Sequence, residues 1–170
     1  AEVDRANQNG ATPLHIACCT GHVDLARLLL DNGAEVNRAM KDATPLLIAC
    51  YNGHVEAARL LLDNGAEVDR ANQNGATPLH IACEKGLVEA VRLLLDNGAE
   101  VDRALENGVT PLFIACGEGH VDAARWLLEK GADVNRAKEN GVTPLHIACQ
   151  NGHVDAARLL LDNGAEVDRA

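Results

Sequence analysis

Serine is absent from this 170-residue sequence, and aromatic residues nearly so. Without serine there is no serine nucleophile for acyl-transfer chemistry. One Trp, one Tyr and one Phe are too few for the stacking platform on which proteins bind single-stranded nucleic acid. The apolar stretches, such as residues 28–30, are cut short by charged residues, so no segment has the length of a membrane span.

Basic residues are also scarce, since fifteen Lys and Arg stand against twenty-five Asp and Glu, for a formal net charge of −10. This is the wrong sign for neutralising phosphates. We therefore predict neither a nucleic-acid nor a membrane partner. A hydrophobic fraction of 47% in a chain of this length is typical of a folded protein with its own core.

The sequence is a 33-residue unit repeated five times. Thr-Pro-Leu recurs with intervals of 32, 33, 33 and 33 residues at Thr12, Thr44, Thr77, Thr110 and Thr143. A fixed period of this length is the signature of a repeat array. We predict a single array of five repeats at residues 7–39, 40–71, 72–104, 105–137 and 138–170, preceded at residues 1–6 by the end of a preceding unit.

The sequence of each repeat predicts two short helices and a projecting loop. Thr12 is a good N-cap, Pro13 suits the first helical turn, and Gly21 suits the residue after a helix end. His22 precedes a second helix whose apolar residues recur at helical spacing. An extended segment at residues 34–39 then leads to a β-hairpin tip, where Asn-Gly occurs in most copies.

Thr-Pro-Leu-His-Ile-Ala at residues 12–17, 77–82 and 143–148 closely resembles the ankyrin repeat motif. The resemblance extends over the whole chain. It implies an all-α solenoid of stacked helix-turn-helix units, with projecting hairpins and a concave binding surface. Two copies depart from the motif, because Leu47 and Phe113 replace the His, and the second copy also lacks the Gly of its tip, so its turn at residues 40–43 must differ.

Six cysteines invite disulfides, but their spacing argues against them. Five occupy one position in successive repeats, at Cys18, Cys50, Cys83, Cys116 and Cys149. Stacked helices lie about 8–10 Å apart, whereas a disulfide needs Cα atoms within about 7 Å. We predict that these five are buried core residues and that Cys19 alone is an exposed, reactive thiol.

The seven histidines also follow the period, as His15, His80 and His146 after Thr-Pro-Leu and as His22, His54, His120 and His153 before the second helix. The resemblance implies that the first set hydrogen-bonds the loop of its own repeat. A catalytic or metal site has no reason to recur at every step, and no Cys-x-x-Cys pair is present. Gly117-Glu118-Gly119 lacks the third Gly of a dinucleotide loop. We predict no metal, no cofactor and no enzymatic activity.

The repeats differ mainly at the hairpin tips and at the end of the first helix, and Trp126, which replaces a Leu, is predicted to fill space between repeats. A constant scaffold with variable, mixed-polarity positions is typical of a recognition surface. We predict that it binds a protein or peptide, with Tyr51 and Met40 as the main anchors. The predicted contact residues are Gln8, Cys19, Thr20, Met40, Lys41, Tyr51, Asn52, Gln73, Glu84, Lys85, Leu105, Glu106, Glu118, Lys138, Glu139, Gln150 and Asn151.

Two alternatives to a binding scaffold remain open: a structural spacer cut from a longer array, and an engineered ankyrin scaffold without a natural partner. Neither terminal repeat has the polar outer face of a capping repeat. The first repeat has Leu25 and the leucines of residues 28–30, and the last has the leucines of residues 159–161, as in the inner repeats. We therefore predict weak, head-to-tail self-association through the terminal repeats.

Overall fold

A computed structural model describes residues 2–167, so residues 1 and 168–170 of the first and last predicted segments lie outside the described residues. The chain divides into two compact units, an N-terminal unit up to Ile81 and a C-terminal unit from Ala82 onward. Within the described range there are ten helices: α1 (Pro13–Thr20), α2 (Val23–Asp31), α3 (Pro45–Tyr51), α4 (Val55–Asp63), α5 (Pro78–Glu84), α6 (Val88–Asp96), α7 (Pro111–Gly117), α8 (Val121–Glu129), α9 (Pro144–Gln150) and α10 (Val154–Asp162). Each repeat contributes two of them.

The first helix of a repeat begins at its Thr-Pro pair, as predicted. Thr12 is the N-cap of α1, Pro13 is its first residue, and the Thr12 hydroxyl accepts the backbone N–H of His15. The cap satisfies an amide at the helix start that has no partner within the helix. Gly21 ends α1 in the left-handed region with φ 72°. The sequence signals therefore set both ends of this helix.

The second helix begins without a side-chain cap and depends on its buried face. α2 starts at Val23 after His22, which makes no capping hydrogen bond, and Asn32-Gly33 ends it. In α4 the buried residues are Ala57, Ala58, Leu60 and Leu61, at the spacing of one helical face. Burial of this apolar face against neighbouring helices therefore stabilises the second helix.

Helix pairs stack on one another within each unit, which is the predicted all-α architecture. In the N-terminal unit α1 packs on α3 and α2 packs on α4. In the C-terminal unit α7 packs on α9, and α8 lies between α6 and α10. One fully buried Leu per repeat follows the Thr-Pro pair, at Leu14, Leu46, Leu79 and Leu112, with Leu145 nearly buried.

Segment 34–39 is not extended throughout, so that prediction was wrong in its centre. Val36 and Asn37 form a turn, in which the N–H of Arg38 donates to the carbonyl of Glu35 at 3.2 Å. The side chain of Asn37 then bridges to the next repeat, accepting the N–H of Glu67 at 2.9 Å. The polar residue in the turn thus ties adjacent loops together, which an extended strand would not do.

The tips of the loops are closed by short backbone hydrogen bonds. In the third repeat the N–H of Asn72 donates to Ala76 and that of Gly75 donates to Asn72. The second repeat differs, as expected from its missing Gly: Met40 and Ala43 exchange both bonds, and Lys41 and Asp42 between them have φ 47° and 65°. This is the one isolated β-bridge between residues 2 and 167, so the hairpins extend no further than their tips.

A histidine of the following repeat covers the glycine between the two helices. A Cβ atom on Gly21 would lie 2.6 Å from Nδ1 of His54, and Gly86 and Gly119 have the same relation to His120 and His153. Nε2 of His54 lies 3.1 Å from the carbonyl oxygen of Cys19. This contact therefore stabilises the interface between adjacent repeats, and it requires glycine at the position that the histidine covers.

Candidate functional site

The structure places all seventeen predicted contact residues at the surface. Fourteen are exposed, and Met40, Leu105 and Lys138 are half-buried. They lie at tips and at ends of first helices, the two variable regions of the repeat. Exposure alone does not distinguish a binding residue from any other surface residue.

Four of these residues come together in one groove of the N-terminal unit. Cys19, Met40, Tyr51 and Asn52 line a groove of about 410 Å³ on the first three repeats. The remaining lining residues are Ala11, His15, Ile16, Ala43, Leu47, Ile48, Asn72 and Ile81. We call this feature the Tyr51 groove.

The unusual residues of the second repeat converge in the Tyr51 groove. Met40 and Tyr51 are the only residues of their types in the chain, and Leu47 replaces the His of the motif. The short turn at Lys41 and Asp42 keeps two non-glycine residues in the left-handed region, which costs on the order of 1–3 kcal/mol each. The groove thus forms where the repeat departs most from its copies.

Tyr51 is the largest exposed side chain at the groove, with 59% of its surface accessible. It is the last residue of α3, so its ring extends from a helix that is packed on α1. Next to it, Nδ2 of Asn52 donates to the carbonyl of Ile48 at 2.8 Å and lies 3.9 Å from Sγ of Cys19. The groove therefore combines an aromatic ring, an amide and a thiol around an apolar floor.

His15 forms a buried part of the groove wall, with 1% of its surface accessible. Its Nδ1 accepts the backbone N–H of Thr12 at 3.2 Å and lies 2.7 Å from the Thr12 hydroxyl oxygen. Burial lowers the pKa of His15, against the opposing effect of the nearby carbonyls of Arg38 and Ala43. The imidazole is therefore neutral near pH 7, and the groove wall carries no charge there.

Four of the predicted contact residues in the C-terminal unit make side-chain contacts within that unit. Glu84 and Lys85 form an ion pair at 3.6 Å, and Nζ of Lys138 lies 5.6 Å from the ring centroid of Phe113. Nδ2 of Asn151 donates to the carbonyl of Gly117 at 2.7 Å. These contacts hold the side chains in place, and a partner would have to compete with them.

Among residues 2–167, no group of three or more His, Cys, Asp or Glu side chains is arranged to hold a metal ion. Over the same range, every helix is too short or too polar to cross a membrane.

Family models match nearly the whole chain. The model described as "Ankyrin repeat" matches residues 9–42, and the model described as "Ankyrin repeats (3 copies)" matches residues 38–104 and 101–170. The chain belongs to the ankyrin repeat family. Ankyrin repeats are generally protein-interaction modules.

Curated proteins similar to the chain match it over about one repeat's length only. The "Potassium channel AKT1" of Oryza sativa subsp. indica is 46% identical over 37 residues, which are 22% of this chain and 4% of the channel. The "Transient receptor potential channel pyrexia" of Drosophila melanogaster is 47% identical over 38 residues, again 22% and 4%. The chain thus matches about one twenty-fifth of these relatives' length.

The ankyrin stacking explains the cysteines, with one correction. Cys18, Cys50 and Cys116 are buried, and burial raises the pKa of each thiol to about 12. Cys83 is buried as well, and Cys19 is exposed as predicted. Cys149 is exposed, so its prediction as a core residue was wrong. Its four counterparts in the other repeats are buried, so equivalent positions of the repeat differ in burial.

Two features of the ankyrin array were missed by reasoning from the sequence. One is that His54, His120 and His153 of the second set each cover a glycine of the preceding repeat, although each of these histidines itself follows a glycine in the sequence. The other was the apolar floor of the Tyr51 groove, where Ile16, Ile48 and Ile81 line one surface. Because these isoleucines are identical in the three repeats, sequence variation does not indicate them, and only their common exposure to the groove does.

Trp126, which is predicted to fill space between repeats, is half-buried and contacts an arginine of the neighbouring repeat. Its ring lies 5.4 Å from the guanidinium of Arg92, measured to the ring centroid. Trp126 is on α8 and Arg92 on the adjacent α6. The contact belongs to the stacking of repeats and leaves Trp126 out of the candidate site.

Proposed function

We propose that this chain is a non-catalytic scaffold that binds a peptide or a protein segment in the Tyr51 groove. The observation that supports the proposal is the convergence of Met40, Leu47 and Tyr51 in one apolar groove. In an array of near-copies, the departures of one repeat could lie anywhere on its surface. Here they line a single concave feature.

The chemistry of the groove favours binding of an apolar segment. Contiguous exposed apolar surface with a polar rim is typical of an interaction site. Tyrosine is enriched among residues that dominate binding energy, because it combines a large apolar ring with a hydrogen-bonding hydroxyl. We therefore expect Tyr51 to be the main anchor and Met40, a flexible apolar side chain, to adapt to the ligand.

The predicted contact residues outside the groove remain part of the proposal as peripheral positions. They would surround the groove or lie on other repeats, and rim contacts usually contribute little to affinity.

A peptide selection tests the proposed function. Random peptides displayed on phage are selected against the immobilised full chain, and the affinities of the enriched peptides are measured for the wild type and for Tyr51→Ala. We expect Tyr51→Ala to weaken binding at least about fivefold, because an anchor of this kind contributes more than about 1 kcal/mol.

Val154→Ala is the matched control for this experiment. Val154 is an apolar side chain of similar exposure, 66%, in the C-terminal unit. Its removal should leave the affinities unchanged. Selected peptides that bind Tyr51→Ala as well as the wild type would place the binding surface outside the groove and contradict the proposal.

A further inference from the structure

The floor of the Tyr51 groove repeats along the stack. Ile16, Ile48 and Ile81 occupy the same position in three successive repeats, and all three line the groove. Ile16 is 49% exposed, and the other two are half-buried, so a ligand can reach them. Because neighbouring packed helices lie about 8–10 Å apart, the groove offers one aliphatic contact at about that interval.

This interval selects among the regular conformations of a peptide. Along a β-strand, side chains on one face recur every second residue, at about 6.6 Å, which does not match the interval. In a polyproline II helix every third residue points the same way, and three steps of about 3.1 Å give about 9.3 Å. In an α-helix, residues seven apart lie on one face at about 10.5 Å, slightly more than the interval between the isoleucines. The helix is also bulky, since it is about 10–12 Å wide with its side chains.

Amides beside the floor favour polyproline II over the α-helix. Nδ2 of Asn52 donates to the carbonyl of Ile48 and, at 3.9 Å, to Sγ of Cys19, which is a weak acceptor that a ligand carbonyl can replace. Oδ1 of Asn72 accepts the N–H groups of Asn74 and Ala76, so these bonds do not use its own amide N–H groups. A polyproline II backbone has no internal hydrogen bonds and offers its carbonyls as acceptors, whereas an α-helix uses most of its own.

The charge of the surroundings adds a third constraint. None of the residues that line the groove is Asp, Glu, Lys or Arg. In residues 1–81 as a whole, ten Asp and Glu stand against six Lys and Arg. An apolar segment in the groove would therefore be complemented by basic residues on either side of it.

We infer that the Tyr51 groove binds a proline-rich peptide in the polyproline II conformation, with an aliphatic side chain at every third residue and basic residues flanking the apolar segment. The inference rests on the proposed function and specifies its ligand. The Tyr51 ring stacks on the pyrrolidine rings, and the aliphatic side chains contact Ile16, Ile48 and Ile81 in turn.

Three fluorescently labelled synthetic peptides test the inference by anisotropy titration with the full chain. The first has Leu at every third position, proline between, and two lysines at each end. The second has the same composition with Leu at every second position, and the third is an amphipathic α-helical peptide with the same net charge. We expect the first to bind at least tenfold more tightly than the other two.

Variants of the chain test whether the first peptide binds in the Tyr51 groove. Ile16→Lys changes an exposed residue of the floor and should weaken the first peptide at least fivefold, as should Tyr51→Ala. Val154→Ala should leave its binding unchanged. Circular dichroism of each variant shows whether the helices are retained, so a loss of binding can be separated from a loss of fold.

The outcomes distinguish this inference from the proposed function. Equal binding of the first two peptides, tighter binding of the helical peptide, or no binding of any of the three would overturn the inference. In each case the proposed function stands if phage-selected peptides still require Tyr51, and it fails with the inference if they do not.

Discussion

His54 lies directly over Gly21, with its Nδ1 only 2.6 Å from the position that a Cβ atom on Gly21 would occupy. The same imidazole lies 3.1 Å from the carbonyl of Cys19 through Nε2. The interface between the first two repeats is therefore closed at a point where only glycine fits.

Gly21→Ala should destabilise the chain more than Gly33→Ala does. Both glycines have positive φ, 72° and 84°, so both substitutions introduce backbone strain of about 1 kcal/mol. Gly33 has no atom within 4 Å of its would-be Cβ, whereas Gly21 has His54. Urea unfolding followed by circular dichroism should show an additional loss of at least about 1 kcal/mol for Gly21→Ala.

A double variant tests whether His54 causes the additional loss of stability in Gly21→Ala. In a His54→Ala background the imidazole is absent, so Gly21→Ala and Gly33→Ala should have nearly equal effects. Unequal effects in that background would mean that His54 is not the cause.

Native-state titration with a thiol reagent should reveal two fast thiols. Cys19 and Cys149 are exposed, whereas Cys18, Cys50, Cys83 and Cys116 are buried with raised pKa values. The thiolate is the reactive form, so the buried four should react only on unfolding. Cys149→Ala should reduce the fast phase to one equivalent. Three or more fast equivalents in the wild type would contradict the assigned burial.

Acidification should destabilise the wild type through His15. Burial lowers the pKa of His15 in the folded state, so below about pH 6.5 the unfolded chain binds a proton that the folded chain does not. Stability from the neutral imidazole is present above that pH and is lost as the pH falls through it. The position of Leu47 in the second repeat shows that the fold accepts Leu there, so His15→Leu is a suitable variant.

Urea unfolding at pH 7.5 and pH 5.5 measures this effect. We expect the free energy of unfolding to fall less between the two pH values for His15→Leu than for the wild type. An equal fall would show that His15 does not contribute to the acid sensitivity.

Leu25 should limit the strength of the predicted head-to-tail self-association. Leu25 and Leu28 of the first repeat are 46% and 57% exposed, and Leu161 of the last is 46% exposed. In the other repeats the equivalent residue is a buried alanine: Ala57, Ala90, Ala123 and Ala156. A Leu at this position is too large for the register in which internal repeats stack, so we expect contact between copies to be weak.

Leu25→Ala should strengthen self-association, and Leu161→Asp should remove it. Added salt should strengthen it as well, because it screens the repulsion between chains of charge −10. Light scattering over a wide concentration range at low and high salt measures both effects. If Leu25→Ala remains monomeric under every condition, copies do not associate in the register of the internal repeats.

Sequence alone determined where the first helix of each repeat begins and where both helices end, because the signals at these positions are local. Thr12 and Pro13 begin a helix, and Gly21 and Gly33 end two, through backbone preferences that act over one helical turn. The period then indicated the number of helix pairs, and the resemblance of Thr-Pro-Leu-His-Ile-Ala to the ankyrin motif indicated the family. The missing tip Gly also predicted the different turn at residues 40–43.

Tertiary structure decided what each repeated residue does. Cys149 has the same local sequence as Cys83 but is exposed, because the burial of a thiol depends on the residues packed around it and not on its own sequence. Met40, Tyr51 and Ile81 form one groove although they are separated by up to 41 residues in the sequence. Burial and shape are properties of packed neighbours, so near-identical repeats acquire different roles from what lies beside them.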